Sequence, residues 1–255
     1  MFRLLLRCAA LLLALAAPAR ADMLANVDLS QPAYSTSEMT RAALEAAVKA
    51  GARDFSFKSL NGLDLSGLDL SGANFRAARM VKARLAGVKL DGAILDQAWL
   101  LEADLTGASL KGAHLFATQL QRARADGADF TGARIAGDLS GAILRGATFD
   151  HADLSADMKN QSMGLMRAVL RMAVLEGARF HDAKLMQVDL RFAHAAGADF
   201  TRADLSGADA AGADLVGTSW GGARVKELDL DSARLDAAAF EALKEARHLD
   251  RAQKP

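Results

Sequence analysis

The feature that most constrains this chain is a five-residue period of large apolar residues. One such residue stands at every fifth position over 55–135, where Ala125 is the one small member. The frame then slips back by one residue, and the series continues over 139–154. It resumes over 170–235, which brings the total to roughly 35 units. A run of this length makes most of the chain an internal repeat.

Neither standard secondary structure explains this spacing, because a helix repeats apolar residues every 3.6 positions and a strand every 2. Alanine usually stands two residues before the large residue, as Ala103 does before Leu105. A small and a large inward residue, two apart, imply a short extended piece followed by a turn. Repetition of that unit makes a coil with an apolar axis. Burial of the axis contributes about 1.5–3 kcal/mol per large side chain.

The best-formed units share the sequence Ala-Asp-Leu or Ala-Asp-Phe. They are Ala103-Asp104-Leu105, Ala128-Asp129-Phe130, Ala152-Asp153-Leu154, Ala203-Asp204-Leu205 and Ala213-Asp214-Leu215. Over residues 53–237 the chain resembles the pentapeptide-repeat family, whose unit is written Ala-(Asp/Asn)-Leu-x-x. The resemblance implies an all-β solenoid, a right-handed quadrilateral β-helix with four units per coil. The predicted fold then has about nine coils, or about 40 Å of stack at the ~4.8 Å strand spacing.

A coil of four units predicts which outward side chains are neighbours. Residues that precede the large apolar residue should stack on their equivalents one coil away. One such column reads Asp64, Arg84, Asp104 and Arg124, so opposite charges alternate along it. Each exposed pair contributes a few tenths to about 1 kcal/mol, so the column selects register more than it stabilises. We expect the Asp of the repeat to decorate the wall or to hydrogen-bond the turn.

The N-terminal segment, residues 22–52, carries the signals of a capping helix. Both ends of a coil stack expose strand edges, which a natural protein covers. The sequence of residues 35–38 (Ser-Thr-Ser-Glu) fits a capping box. Leu44 and Val48 then fall on one face together with Ala47, and Gly51 provides a stop.

The C-terminal segment, residues 238–255, predicts a second cap. Between Ala237 and Leu249 one stripe contains Phe240, Leu243 and Ala246. The predicted architecture is therefore a coil stack with short α-helical caps at both ends.

The repeat is imperfect in three places. The small-residue position of the first coil is occupied by larger side chains, which predicts an irregular coil: Arg53, Lys58, Leu63 and Leu68. Alanine replaces the large residue at three positions, where the axis should be thinner: Ala125, Ala195 and Ala210. Residues 155–167 interrupt the pattern, either as imperfect units or as a loop. Their methionines, Met158, Met163 and Met166, fit an irregular core or an adaptable binding surface.

Residues 1–21 have the pattern of a secretory signal. A basic start that includes Arg3 precedes an apolar run over 11–17, and the small-x-small sequence that ends at Ala21 precedes Asp22. We predict cleavage between Ala21 and Asp22. Localisation is then periplasmic or secreted.

The one cysteine, Cys8, lies in the segment predicted to be removed. The mature chain would therefore contain no disulfide. No second apolar segment reaches the length of a transmembrane helix, so no stable membrane span is expected after cleavage.

The charge balance and the motifs exclude several classes of function. Lys and Arg total 31 and Asp and Glu total 31, which argues against a nucleic-acid binder recognised by bulk charge. No nucleophile, phosphate-binding or zinc motif is present. The histidines lack the spacing of metal ligands: His114, His151, His181, His194 and His248. The sequence predicts no catalytic residues, no metal site, no cofactor and no enzyme.

Apolar residues at outward positions are the best functional signal. Ile94, Trp99 and Leu101 fall on adjoining walls, with Phe116 roughly one coil further on. Contiguous exposed apolar residues mark contact surfaces, although scattered ones are normal. These four residues are our candidate interaction patch, for a protein partner or for self-association. A second outward group is Val169, Met172, Val174, Met186 and Phe192.

Three functions remain open at this point. The first is a non-enzymatic exported scaffold or protein-interaction module, whose partner the sequence does not identify. The second comes from the resemblance, since some family members mimic B-form DNA and protect a type II topoisomerase. That role needs a cytoplasmic location and a strongly acidic face, and the signal and the alternating columns oppose both. The third is an envelope-associated module that touches lipid, which no basic amphipathic helix supports.

Overall fold

The computed structural model describes residues 28–156 and 166–254. In chain order its helices and strands are α1 (Pro32–Ser35), α2 (Arg41–Lys49), β1 (His114–Gln119), β2 (Arg134–Asp138), α3 (Ala239–Ala242) and a 3-10 helix (Leu249–Arg251). Elsewhere the sheet consists of isolated parallel bridges, one for each five-residue unit. Residues 1–27, which contain the predicted signal and its cleavage site at Ala21 and Asp22, lie outside the described residues, as do residues 157–165.

The parallel bridges join residues 20 positions apart and define four walls. We number the walls by the outward residue of one coil: wall 1 at Asn74, wall 2 at Arg79, wall 3 at Arg84 and wall 4 at Lys89. In each wall the inward residue donates its N–H to the next coil, as Leu65 does to the Arg84 carbonyl at 2.7 Å. The repeat is thus a parallel β-helix of four five-residue units per turn, as the resemblance implies.

The turn of each unit explains two further features of the repeat. The second residue after the large apolar one has a left-handed backbone, with φ 70° at Gly67 and φ 60° at Gln97. Glycine adopts this conformation without steric strain, which is why it recurs there. The Asp before the large residue caps the turn, because Asp64 Oδ1 accepts the N–H of Ser66 at 3.0 Å. Asp therefore both decorates the wall and bonds the turn.

The apolar axis contains a column of stacked aromatic rings behind wall 4. Its ring centroids are 4.8–5.0 Å apart, which is the spacing of the coils themselves. The column consists of Phe130, Phe149, Phe180, Phe200 and Trp220. All of these side chains are buried. The three alanines of the axis, Ala125, Ala195 and Ala210, are also buried.

The frame slip is one missing residue at the corner between walls 1 and 2, which we call corner 1–2. Here β1 and β2 pair as continuous parallel strands in place of two separate bridges. His114 still pairs with Arg134, but Gln119 pairs with Asp138, one residue short of a full coil. A Cβ on Gly137 would lie 2.5 Å from the Thr118 carbonyl oxygen, so only glycine allows the two strands to run this close.

The interruption over 155–167 lies on the same corner. After Leu154 the chain leaves wall 1, and Ala168 resumes the repeat by donating its N–H to the Leu154 carbonyl at 3.3 Å. Bridges across this coil join residues 31 apart, as in Ile143 with Val174, and return to a spacing of 20 afterwards. The walls before and after the interruption therefore pair directly with one another. Met158 and Met163 lie outside the described residues, and Met166 is half-buried.

The first coil is regular, contrary to the prediction from its large side chains. Asp54 and Asp69 pair with the second coil in the same register as all later units. Leu63 and Leu68 are half-buried and pack against the core. The small-residue position can hold a larger side chain in this coil, because α2 and the N-terminal segment, and not another coil, lie next to it.

The N-terminal helix begins later than predicted. The capping box at residues 35–38 is wrong: the N-cap of α2 is Thr40, whose Oγ1 accepts the N–H of Ala43 at 3.2 Å. Ser37 instead forms an antiparallel bridge with Leu60. Leu44 of α2 is fully buried against the end of the coil stack.

The C-terminal segment is not the continuous helix predicted between Ala237 and Leu249. Its helix α3 has four residues, and Asp236 holds it by accepting the N–H groups of Ala239 and Gly217. The chain then returns to strand pairing, since Arg247 bridges Asp229. Those bonds satisfy edge groups that a helix would leave open.

The apolar stripe of this segment still packs as predicted. Leu243 is fully buried, and Phe240 and Ala246 lie against the core.

Candidate interaction surface

The structure separates the four residues of the candidate patch into two groups. Ile94 on wall 1 is half-buried, Trp99 on wall 2 is 39% exposed, and Phe116 on corner 1–2 is 36% exposed. These three surround one corner. Leu101 lies beyond Trp99 at the corner between walls 2 and 3, and only 4% of it is exposed. Its assignment to an exposed patch is therefore wrong.

Leu101 is buried because the N-terminal segment covers corner 2–3. Leu29 packs on Val81 and Leu101 in a small apolar cluster separate from the core, with Tyr34 against it. The Tyr34 ring also stacks on Trp99, with centroids 5.9 Å apart and an angle of 19° between the planes. One face of Trp99 is therefore already occupied within the chain.

The remaining exposed residues lie around corner 1–2, where β1 and β2 pair as continuous strands. Phe116 belongs to β1, and its N–H donates to Asp96 Oδ1 one coil away at 3.1 Å. Asp96 also lies 3.5 Å from the Arg76 guanidinium. The polar contacts anchor the backbone next to the Phe116 ring, which itself stays in solvent. Ile94, Trp99 and Phe116 thus form a small apolar surface on a fixed backbone.

The second outward group does not form one surface. Val169, Met172 and Val174 are half-buried, whereas Met186 is 37% and Phe192 is 48% exposed. Phe192 lies over Gly212 on corner 2–3, while Met186 is on corner 1–2. A shallow cavity of about 300 Å³ is lined by Met186 and by Gln187, Ser206, Gly207, Lys226, Glu227 and Ala156. Its open shape and mixed lining do not define a ligand.

Wall 3 confirms the expected alternation of charge. Arg84 Nη2 lies 2.7 Å from Asp64, and Arg234 Nη1 lies 2.7 Å from Asp214. The N–H of Ser66 is the main cause that lowers the pKa of Asp64 to about 2, and the Arg84 guanidinium acts in the same direction. Neighbouring opposite charges leave this wall without an acidic field of the kind that a DNA-like surface requires.

Asp189 on wall 2 has a buried carboxylate. Its Oδ2 accepts hydrogen bonds from Arg191 at 2.6 Å and from Arg171 at 2.8 Å. Burial acts to raise the pKa of Asp189, but these two guanidinium groups outweigh it and lower the pKa to about 2. Asp209 continues the column and lies 3.3 Å from Arg191. The cluster is a structural ion network, because every charge in it faces an opposite one.

The histidines of the described segments are distributed over different walls. His114 is on wall 1 and His194 is on wall 3. His181 Nε2 lies 2.6 Å from Asp199, and His248 Nδ1 lies 2.8 Å from Asp229. Over residues 28–156 and 166–254 no group of three or more His, Cys, Asp or Glu side chains could hold a metal ion.

The repeat itself identifies the family. The family model described as pentapeptide repeats matches in eight copies over residues 59–97, 100–137, 135–156, 165–202 and 183–219. The chain belongs to the pentapeptide repeat family. Proteins of this family are generally structural or interaction modules without enzymatic activity, and their fold is a β-helix of the kind described above.

Solved pentapeptide repeat proteins resemble the chain over most of its length. HetL, a protein involved in heterocyst differentiation regulation from the cyanobacterium Nostoc sp. strain PCC 7120, is 27% identical. The match covers 76% of this chain and 96% of HetL, with a TM-score of 0.35. QnrB1, a plasmid-mediated fluoroquinolone resistance protein, is 18% identical over 73% of this chain and 98% of its own, with a TM-score of 0.40. Rfr23 from the cyanobacterium Cyanothece 51142 is 16% identical over 79% and 95%, with a TM-score of 0.25.

A curated relative and a membrane-spanning helix are two further features that would indicate a function. No functionally curated protein matches the chain significantly. Among the residues that the structure describes, no helix has both the length and the apolar content needed to cross a membrane.

The signal that sequence reasoning missed is a column on corner 2–3. Asn61, Val81 and Leu101 occupy the same position of three successive coils, and all three are at least nine-tenths buried although they point away from the axis. Over the same three coils, residues 56–111, the equivalent positions on the other corners are charged, small or hydroxylated. An apolar or amide residue repeated on one corner is therefore the mark of a covered surface.

Proposed function

We propose that this protein is a non-enzymatic scaffold or protein-interaction module, exported to the periplasm or beyond. In this proposal a β-helix of about nine coils, with short helical segments at its ends, presents fixed surfaces to a partner. The observation that carries the proposal is the pair of partly exposed aromatic side chains, Trp99 and Phe116, around corner 1–2. Large aromatic residues on a preorganised backbone are typical anchors of protein interfaces.

Two properties support binding on corner 1–2. The corner is structurally distinct, because both the missing residue at Gly137 and the interruption of the repeat between Leu154 and Ala168 occur there. The backbone beneath the patch is fixed by the hydrogen bond from Phe116 to Asp96. A partner therefore meets side chains whose backbone is already ordered, which lowers the entropic cost of association.

The test is in-cell cross-linking followed by affinity capture of the full chain. We expect a captured partner, or a second copy, to be lost from the variant Ile94→Asp with Phe116→Asp. The matched control is Ile143→Asp with Val174→Asp, which places the same two changes at half-buried outward positions of wall 3. Equal capture by both variants and the wild type would contradict the assignment of the surface.

Export has its own test. The proposal predicts that the protein recovered from an osmotic-shock fraction begins at Asp22, which mass spectrometry of its N-terminal peptide measures. Recovery of an intact Met1 in the cytoplasmic fraction would contradict it.

A further inference from the structure

The N-terminal segment from Asp28 to Glu38 is held on corner 2–3 like a bound peptide. It contains one short helix, α1, and its remaining residues are extended or turned. Its backbone–backbone hydrogen bond to the walls lies at one end, where Glu38 donates its N–H to the Ser59 carbonyl at 2.8 Å. Every other contact described below involves a side chain. Side-chain contacts are typical of a recognised peptide and not of a strand that continues the sheet.

Asn61 recognises the backbone of the segment. Its Oδ1 accepts the Val81 N–H at 3.0 Å, which fixes the amide so that Nδ2 faces the segment. Nδ2 then donates to the carbonyl oxygens of Ala33 at 3.2 Å and Thr36 at 3.3 Å. Ser59 Oγ donates to the same Thr36 oxygen at 2.6 Å. These hydrogen bonds recognise main-chain carbonyl oxygens, so they do not depend on which side chains the segment carries.

Two side chains of the segment supply the apolar contacts. Leu29 is 7% exposed and fills the space above Val81 and Leu101, while Tyr34 lies five residues later and stacks on Trp99. Pro32 begins α1, the one-turn helix that contains Tyr34. The groove therefore selects an apolar residue and, five positions later, an aromatic residue in a helical turn that begins with proline, which we call the proline turn.

We infer that corner 2–3 is a peptide-binding groove that its own N-terminal segment occupies in cis. The competing occupant is a peptide of the same chemistry: an apolar residue, a proline turn, and an aromatic residue five positions after the first. The groove is formed by Asn61, Val81, Leu101 and the inner face of Trp99, with Ser59 at its end. This surface shares only Trp99 with the corner 1–2 patch, whose test changes Ile94 and Phe116, so the inference does not depend on the proposed function of that corner.

Tethering determines which occupant prevails. A segment joined to the groove by a few residues has an effective concentration on the order of millimolar. A free peptide with the same contacts competes poorly against it, so the groove opens to a partner only when the cis segment is weakened. The affinity of a free peptide should therefore rise when Leu29 and Tyr34 are replaced, although neither belongs to the wall.

The experiment uses the full chain and a fluorescein-labelled synthetic peptide of residues 28–38, followed by fluorescence anisotropy. We expect the variant Leu29→Asp with Tyr34→Ala to bind the peptide at least about tenfold more tightly than the wild type does. Adding Leu101→Asp to this variant should abolish binding, and adding Ala86→Asp, at the matched position of another corner, should not. A peptide that itself carries the changes at Leu29 and Tyr34 should not bind.

Three results would overturn the inference. One is equal affinity for the wild type and the variant with the weakened segment. Another is binding that survives Leu101→Asp. The last is no binding to the weakened variant while its far-ultraviolet circular dichroism matches that of the wild type. Loss of a cellular partner through the corner 1–2 variants is measured separately, so the two proposals can fail independently.

Discussion

Gly137 offers the sharpest test of how the missing residue is accommodated. A Cβ at this position would lie 2.5 Å from the Thr118 carbonyl oxygen, 3.2 Å from its nitrogen and 3.3 Å from its carbonyl carbon. All three atoms belong to the backbone, so no side-chain rotation relieves the contact. Gly137→Ala therefore forces β2 to move away from β1 by at least about 0.5 Å before the contact is tolerable.

The free-energy cost of Gly137→Ala follows from the backbone hydrogen bonds that a displacement of β2 would weaken. The Gly137 carbonyl accepts the Val169 N–H at 2.9 Å, and the adjacent Asp138 carbonyl accepts the Leu120 N–H at 2.7 Å. Loss or weakening of these two backbone hydrogen bonds costs about 0.5–1.5 kcal/mol each, and overpacking in a dense site costs about 1–3 kcal/mol. We expect Gly137→Ala to lower the free energy of unfolding by about 2–6 kcal/mol.

The assay is urea denaturation with native-state hydrogen exchange, because a repeat array does not always unfold in a single step. Exchange of the Val169 and Leu120 amides should accelerate before that of distant coils. The control is Gly221→Ala, where the nearest atom, Thr201 Cγ2, is 3.8 Å from the new Cβ. That change should be neutral or slightly stabilising, by up to about 1 kcal/mol. Equal effects of the two substitutions would refute the argument for close strand approach.

Two further predictions concern the axis and the buried ion network. Phe180→Ala removes the middle ring of the aromatic column and should cost about 3–5 kcal/mol in urea denaturation, whereas the exposed Phe192→Ala should cost far less; similar losses would contradict the column's role. The folded-state pKa of Asp189, about 2, lies below its ordinary value of 3.8, so its ionised form stabilises the fold above pH 4 and this contribution disappears as the pH falls from about 4 to 2. Thermal melting temperatures should drop in that window for the wild type, and the drop should be smaller in Asp189→Asn; an identical pH profile would show that the network does not stabilise the fold.

The axis could be predicted from the sequence because its signal is local and repeated. Every five-residue unit places its large residue inward, and neighbours 20 positions away repeat the same choice. The alternating column from Asp64 to Arg124 followed from the same arithmetic. Even the frame slip was visible, although its accommodation was not, because the close approach of Gly137 to Thr118 depends on two segments that are far apart in sequence.

The covered corner could not be predicted in this way. A periodic pattern treats every outward position as equivalent, so Leu101 was assigned to the same exposed surface as Trp99. Its burial depends on Leu29, a residue outside the repeat whose docking is a long-range contact. The prediction of a continuous C-terminal helix was wrong for a related reason. The apolar periodicity over Phe240 and Leu243 is helical, but the open strand edge at Asp229 provides hydrogen-bond partners for the chain at Arg247.

The two irregular lengths at corner 1–2 have a consequence for the molecule as a graft host. Bridges across the first join residues 19 apart and bridges across the second join residues 31 apart, yet the walls before and after both stay in line. The alignment of the walls therefore does not depend on 20 residues in every coil. We expect a foreign segment spliced between Ala156 and Ala168 to leave the two halves of the repeat in the same register.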